Sequence, residues 1–123
     1  MNEEQLIAVV DDDSGMRSSL DGLVRSLGYR VSAFSSAEDL LASSALGEAR
    51  CIISDIEMPG GMDGISLARR LVNANRLRPV ILISAFVNDK VEADAAGAGA
   101  LVLLKKPFVG EALIDYIAKA LAR

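Results

Sequence analysis

Five short apolar runs, set apart by longer amphipathic stretches, constrain the fold of this chain more than any other feature. Leu6–Val10 is continuous, short and β-branched, the pattern of a strand buried on both faces. From Ser14 onward, Met16, Leu20, Leu23, Val24 and Leu27 recur at helical spacing, and Gly28 stands where a left-handed residue ends that helix. Residues 29–34 alternate with period two, which predicts a more exposed strand. Ser36 is placed to cap a second helix that turns Leu40 and Leu41 inward. Residues 51–54 predict a third strand, 65–72 a third helix and 80–83 a fourth strand. Asn88 caps an alanine-rich fourth helix that stops at Gly99. Residues 100–104 are then a fifth strand, and Gly110–Leu121 a last helix carrying Leu113, Ile114, Ile117 and Leu121. Strict alternation of strand and helix implies a parallel sheet with helices on both faces, joined by right-handed crossovers. The expectation is one doubly wound α/β domain of five strands and five helices, filling residues 1–123.

Composition narrows what such a domain can do. Seventeen acidic against 13 basic side chains give a formal charge of −4, which is no electrostatic footprint for nucleic acid or an anionic membrane. There is no histidine, so Ser-His-Asp and Cys-His catalysis and His-ligated zinc are excluded. The single cysteine, Cys51, cannot form an internal disulfide and reads as a small buried hydrophobe. No apolar run approaches the roughly 18 residues of a membrane span. A cytoplasmic location is the expectation.

Ligands of doubly wound folds bind beyond the carboxyl ends of the strands, so the residues there carry the functional argument. Asp11-Asp12-Asp13 follow strand one, Asp55 strand three, Ser84 strand four, and Lys105-Lys106-Pro107 strand five. Carboxylates, one hydroxyl and an ammonium thus converge on one edge of the sheet. Two like charges ~4 Å apart repel by about 4 kcal/mol at an effective dielectric of 20, and a cation relieves this. Oxygen donors without sulfur or imidazole favour a hard ion, Mg²⁺ best of all. Mg²⁺ with a lysine is the equipment for holding a phosphoryl group, and an aspartate can itself be the nucleophile. One aspartate after a strand needs no more explanation than capping the next helix. Asp11, Asp12, Asp55 and Lys106 together require another.

The motifs IAVVDDD (7–13), IISDIEMP (52–59), ILISA (81–85) and KKPF (105–108), in this order and spacing, resemble the receiver domain of two-component response regulators over nearly the whole chain. The resemblance implies a flavodoxin-like strand order 2-1-3-4-5. It implies that Asp11 and Asp12 order Mg²⁺, that Asp55 is the phosphoacceptor and metal ligand, and that Glu57 offers the metal its backbone carbonyl. Ser84 would be the hydroxyl that turns toward the acyl phosphate. Lys106, which immediately precedes Pro107 and whose bond to it the resemblance implies is cis, would pair with a phosphoryl oxygen, leaving Lys105 as a neighbour at the strand edge. The implied donor is a sensor histidine kinase or phosphotransfer protein. An output domain or target protein would read the face made by the fourth helix, fifth strand and last helix.

Three departures from the family pattern stand out. The stretch MPGGMDG (58–64) has one residue more than usual, so Gly60 and Gly61 predict a looser loop beside the site. Ser84 replaces the commoner threonine and keeps the hydroxyl. Leu103 stands where many receivers carry a switching aromatic. Two other readings remain at this stage. A haloacid-dehalogenase-type phosphatase would use Asp11 as nucleophile in Asp11-x-Asp13, and a degenerate receiver would act only as a scaffold.

Overall fold

A computed structural model describes residues 5–75, 78–107 and 110–122. The chain alternates β1 (Leu6–Val10), α1 (Ser14–Ser26), β2 (Arg30–Phe34), α2 (Ala37–Ala42), α3 (Ala45–Glu48), β3 (Cys51–Asp55), α4 (Gly64–Ala74), β4 (Val80–Ser84), α5 (Asp89–Gly97), β5 (Val102–Lys105) and α6 (Gly110–Leu121). All paired strands are parallel, in the order β2-β1-β3-β4-β5. The expected architecture and order are therefore present, with six helices where five were expected.

The sixth arises from a break at Ser43-Ser44. Ser43 is extended, its N–H bonds to the Leu40 carbonyl, and its hydroxyl accepts the Ala45 N–H at 3.0 Å. Such local serine bonds compete with helix propagation. The chain resumes as the single turn α3, which the buried Arg78 ties to the sheet through Nη1 and the Leu46 carbonyl, 2.9 Å. The other caps are as the sequence indicates. Ser36 accepts from Asp39 N–H and Asn88 from Val91 N–H, while Gly28 and Gly99 have φ of 95° and 89°.

Successive residues of β1 and β3 point to opposite faces and build two cores. Ala8, Val10 and Ile52 pack with Leu40, Leu67 and Leu71 under α2 and α4. Ile7, Val9 and Ile53 pack with Leu20, Val24 and Ile117 under α1 and α6. Full burial of each large aliphatic side chain contributes about 1.5–3 kcal/mol before entropy is counted. Burial on both faces explains why these strands are uninterrupted apolar runs. It also fixes the sheet so that the β1–β3 boundary, where strand order reverses, is a rigid platform. Cys51 is fully buried in the second core, and burial pushes its thiol up to about 12, so it is inert as a nucleophile at neutral pH.

Candidate functional site

Strand register assembles the site. Val10 lies beside Ser54 and Asp55 beside Ile83, while Ser84 pairs with Lys105. The first residues beyond β1 and β5 are Asp11 and Lys106, so they arrive next to Asp55 and Ser84. Backbone bonds extend the ladder past the strand ends: Asp11 N–H to the Phe34 carbonyl, Ile56 N–H to Ile83, Lys106 N–H to Ser84. These bonds hold the reactive side chains on stiff backbone rather than on loose loops.

Asp11, Asp12 and Asp55 each present a carboxylate oxygen within 4.8 Å of the others. Asp11 is fully buried and Asp55 is 4% exposed, whereas Asp12 is exposed. Lys106 Nζ lies 3.2 Å from Asp55 Oδ2 and 3.4 Å from Asp11 Oδ2. Asp11 also accepts the Asp13 N–H at 2.9 Å, and its carbonyl accepts Arg17 Nη1 at 2.9 Å. The donor set, carboxylates with one open side at Asp12, fits a hard divalent ion. The predicted site residues Asp11, Asp12, Asp55 and Lys106 are thus brought together. Lys105 is exposed at the sheet edge, and the Lys106–Pro107 bond is cis.

The electrostatics follow from this crowding. Burial, reinforced by the charge of Asp11, pushes the Asp55 carboxyl up to about 6, against the pull of Lys106. Burial lowers Lys106, but its bonds to Asp55 and the charges of Asp55 and Asp11 outweigh this and hold it above the ordinary lysine range. A carboxyl raised from 3.8 opposes folding once ionised, so its contribution is best below 3.8 and is lost as pH rises through about 6. Metal-free Asp55→Asn is therefore expected to be more stable than wild type at pH 7 by about 1–2 kcal/mol, with little difference at pH 4. Urea denaturation in chelator at both pH values checks this; an advantage that is equal at the two would contradict the electrostatic origin.

Ser84 is fully buried, and its hydroxyl is already engaged. Oγ lies 2.5 Å from Glu57 Oε2 and 2.7 Å from the Phe86 carbonyl, and it accepts the Phe86 N–H at 3.0 Å. Glu57 donates its own N–H toward Asp55 Oδ1 at 3.4 Å, and its Oε1 accepts Ala85 N–H at 3.3 Å. The sequence suggested a role only for the Glu57 carbonyl. A carboxylate reaching across to the end of β4 carries no periodic signal.

Two further residues escaped the sequence reading. The loop at 58–64 is tied rather than loose: Glu38 of α2 accepts the Met62 N–H at 2.8 Å, and that bond holds the Glu38 carboxyl below the usual range. Gly60 supplies the turn with φ of 91°, and Met58 is buried. Gly64 opens α4 directly over the end of β3, where a Cβ would stand 2.2 Å from the Asp55 carbonyl oxygen. The Asp-Gly pair at 63–64 was its one visible sign, since Asp63 caps α4 by accepting the Ser66 N–H. Leu103 is half-buried against the first core, ordinary apolar strand surface. Arg69 and Arg70 are exposed, as a solvated helix face should be.

This sheet order, with a lysine-countered acidic cluster at its switch point, suits a domain that handles a phosphoryl group with a divalent ion. A family model described as the response regulator receiver domain matches residues 7–118, and the chain belongs to that family. Response regulator protein TmoT of Ectopseudomonas mendocina is 37% identical over 120 residues, covering 98% of this chain and 54% of that protein. Transcriptional regulatory protein FixJ of Bradyrhizobium diazoefficiens is 34% identical over 118 residues, covering 94% and 56%. The chain thus spans about half the length of the curated relatives it matches. Among solved structures, the beryllofluoride-activated receiver domain of DrrB from Thermotoga maritima superposes with a TM-score of 0.88 at 26% identity, covering 98% of this chain and 100% of that one. Receiver domains are switches rather than conventional enzymes. No helix among the described residues is long and apolar enough to cross a membrane.

Proposed function

We propose that Asp55 accepts a phosphoryl group from a sensor histidine kinase or phosphotransfer protein, and that the domain thereby changes its affinity for a target or output domain. The observation that carries this reading is the placement of Asp55: nearly buried at the mouth of β3, within the three-carboxylate cluster and 3.2 Å from Lys106. An Asp55 carboxylate oxygen attacks phosphorus; its O–P bond forms as the donor's bond to phosphorus breaks, and that electron pair leaves with the donor. Lys106 is placed to take one non-bridging oxygen. Mg²⁺, held by Asp11, Asp12, Asp55 and the Glu57 carbonyl, supplies positive charge against the phosphoryl oxygens when bound. Phosphorylation changes one negative charge to about two and adds three acceptor oxygens. Ser84 ends β4 and Lys106 directly follows β5, so recruiting them pulls on α5. That helix buries little beyond Ala95 and presents Asp89, Lys90, Glu92, Ala93 and Ala96 to solvent, which makes it an element of low local stability. The face of α5, β5 and α6 is the surface that would carry the signal. The receiver unit is taken to occupy residues 1–123.

The phosphatase reading, with Asp11 as nucleophile, fits less well. Asp13, the second member of its motif, is spent on capping α1 by accepting the Met16 N–H at 2.7 Å, and Asp11 is fully buried. The intact set of acceptor, acidic pair and lysine likewise speaks against a passive scaffold. The test is incorporation of phosphoryl groups from acetyl phosphate. It should need Mg²⁺, stop with chelator, and fall at least ~100-fold in Asp12→Ala, which loses the exposed cluster ligand. Equal incorporation with and without chelator would contradict the metal's role.

A further inference from the structure

The Ser84 hydroxyl has one proton, and two acceptors stand within reach of it. Glu57 Oε2 lies 2.5 Å from Oγ and the Phe86 carbonyl 2.7 Å. The first distance is that of a charge-assisted O–H···O⁻ bond, the strong kind. The Ser84 side chain is sealed from water, so nothing replaces the bond cheaply once it breaks. Glu57 is anchored in turn, since its second oxygen accepts the Ala85 N–H and its own N–H points at Asp55.

We propose that the Glu57 carboxylate is a positioning residue of the switch, a latch that holds the Ser84 hydroxyl at the end of β4 until a phosphoryl group on Asp55 competes it away. This rests on Asp55 being the acceptor. A hydroxyl can donate to Glu57 or to a phosphoryl oxygen, not to both. Every activated molecule therefore gives up the Glu57–Ser84 bond, and its strength enters directly into the switching equilibrium. The latch also reaches the surface. The Phe86 N–H donates to Oγ, its carbonyl stands 2.7 Å away as the alternative acceptor of the hydroxyl proton, and the residue is 71% exposed. Turning Ser84 inward unties residue 86 as well, so its amide reports the state of the latch.

Glu57 acts on an incoming phosphoryl group in two ways, as a like charge and as a competitor for the Ser84 proton, and these are separable. Beryllofluoride, a phosphoryl mimic, is titrated at saturating Mg²⁺ into wild type, Glu57→Ala, Ser84→Ala and the double variant, with the residue 86 amide followed by NMR. Glu57→Ala should tighten the midpoint about 10-fold when the Ser84 hydroxyl is present and no more than about 2–3-fold when it is absent. Glu57→Gln, whose amide oxygen still accepts the Ser84 proton, should show only the smaller, charge-derived gain. Without beryllofluoride or metal, the residue 86 amide should shift in Glu57→Ala and hold its position in Glu57→Gln. An equal gain from Glu57→Ala in wild type and in Ser84→Ala overturns the latch and leaves Glu57 as a charge alone. Beryllofluoride binding that survives Asp55→Asn unchanged identifies a different failure, that of Asp55 as acceptor, and the latch falls with it.

Discussion

Gly64→Ala is expected to cost the domain about 2–4 kcal/mol, lowering the melting temperature by about 8–15 °C. The added Cβ would meet the Asp55 carbonyl oxygen at 2.2 Å and the Asp55 carbonyl carbon and Ile56 Cα at 2.9 Å, all of them backbone atoms. No side-chain rotation relieves that contact. The first turn of α4 must lift from the end of β3, stretching the Gly64 N–H bond to the Ile56 carbonyl, now 2.9 Å. Gly22, in the middle of α1, has nothing within 4 Å of its Cβ position, so Gly22→Ala is the control and should stabilise by about 0.5–1 kcal/mol. Chemical denaturation of both variants checks the pair. A Gly64→Ala protein within about 0.5 kcal/mol of wild type would contradict the close approach.

Asp55→Asn is expected to abolish phosphoryl incorporation while leaving the fold intact. An amide oxygen is a poor nucleophile, and no other carboxylate among the described residues combines Asp55's place at the mouth of the central strand with a bond to Lys106 and an outlet beside the exposed Asp12. Asp11 shares Lys106 but has no exposed surface. The loss should therefore be complete rather than partial. Because the substitution also relieves charge crowding, the variant should stay folded, which its denaturation curve checks.

The strands were legible because parallel strands buried on both faces are written as uninterrupted apolar runs, and β1 has the bounds its sequence suggests. β5 begins two residues later than its apolar run. Ala100 gives its N–H to the Ala95 carbonyl and Gly99 completes a left-handed turn, so the chain first bonds to β4 through the Leu101 N–H and the Val80 carbonyl, and β5 runs from Val102. Helix α3 was hidden because four residues carry no periodicity, and the serine bonds that isolate it are local. The cluster of Asp11, Asp12, Asp55 and Lys106 was legible for a geometric reason. Each member stands at a strand end or within two residues beyond it, and in-register parallel strands end side by side. What could not be read lies in contacts between residues 24 to 28 positions apart: Glu38 with Met62, Glu57 with Ser84 and Ala85. Such pairs depend on how loops cross the sheet edge, which neither spacing nor residue type encodes.

The acceptor assignment is tested most directly by chemical trapping. Wild type and Asp55→Asn are incubated with acetyl phosphate and Mg²⁺, reduced with borohydride to trap the acyl phosphate, digested and mapped by mass spectrometry. The trapped adduct should fall on Asp55 in wild type and be absent from the variant. An adduct on Asp11, or one that persists in Asp55→Asn, would contradict it.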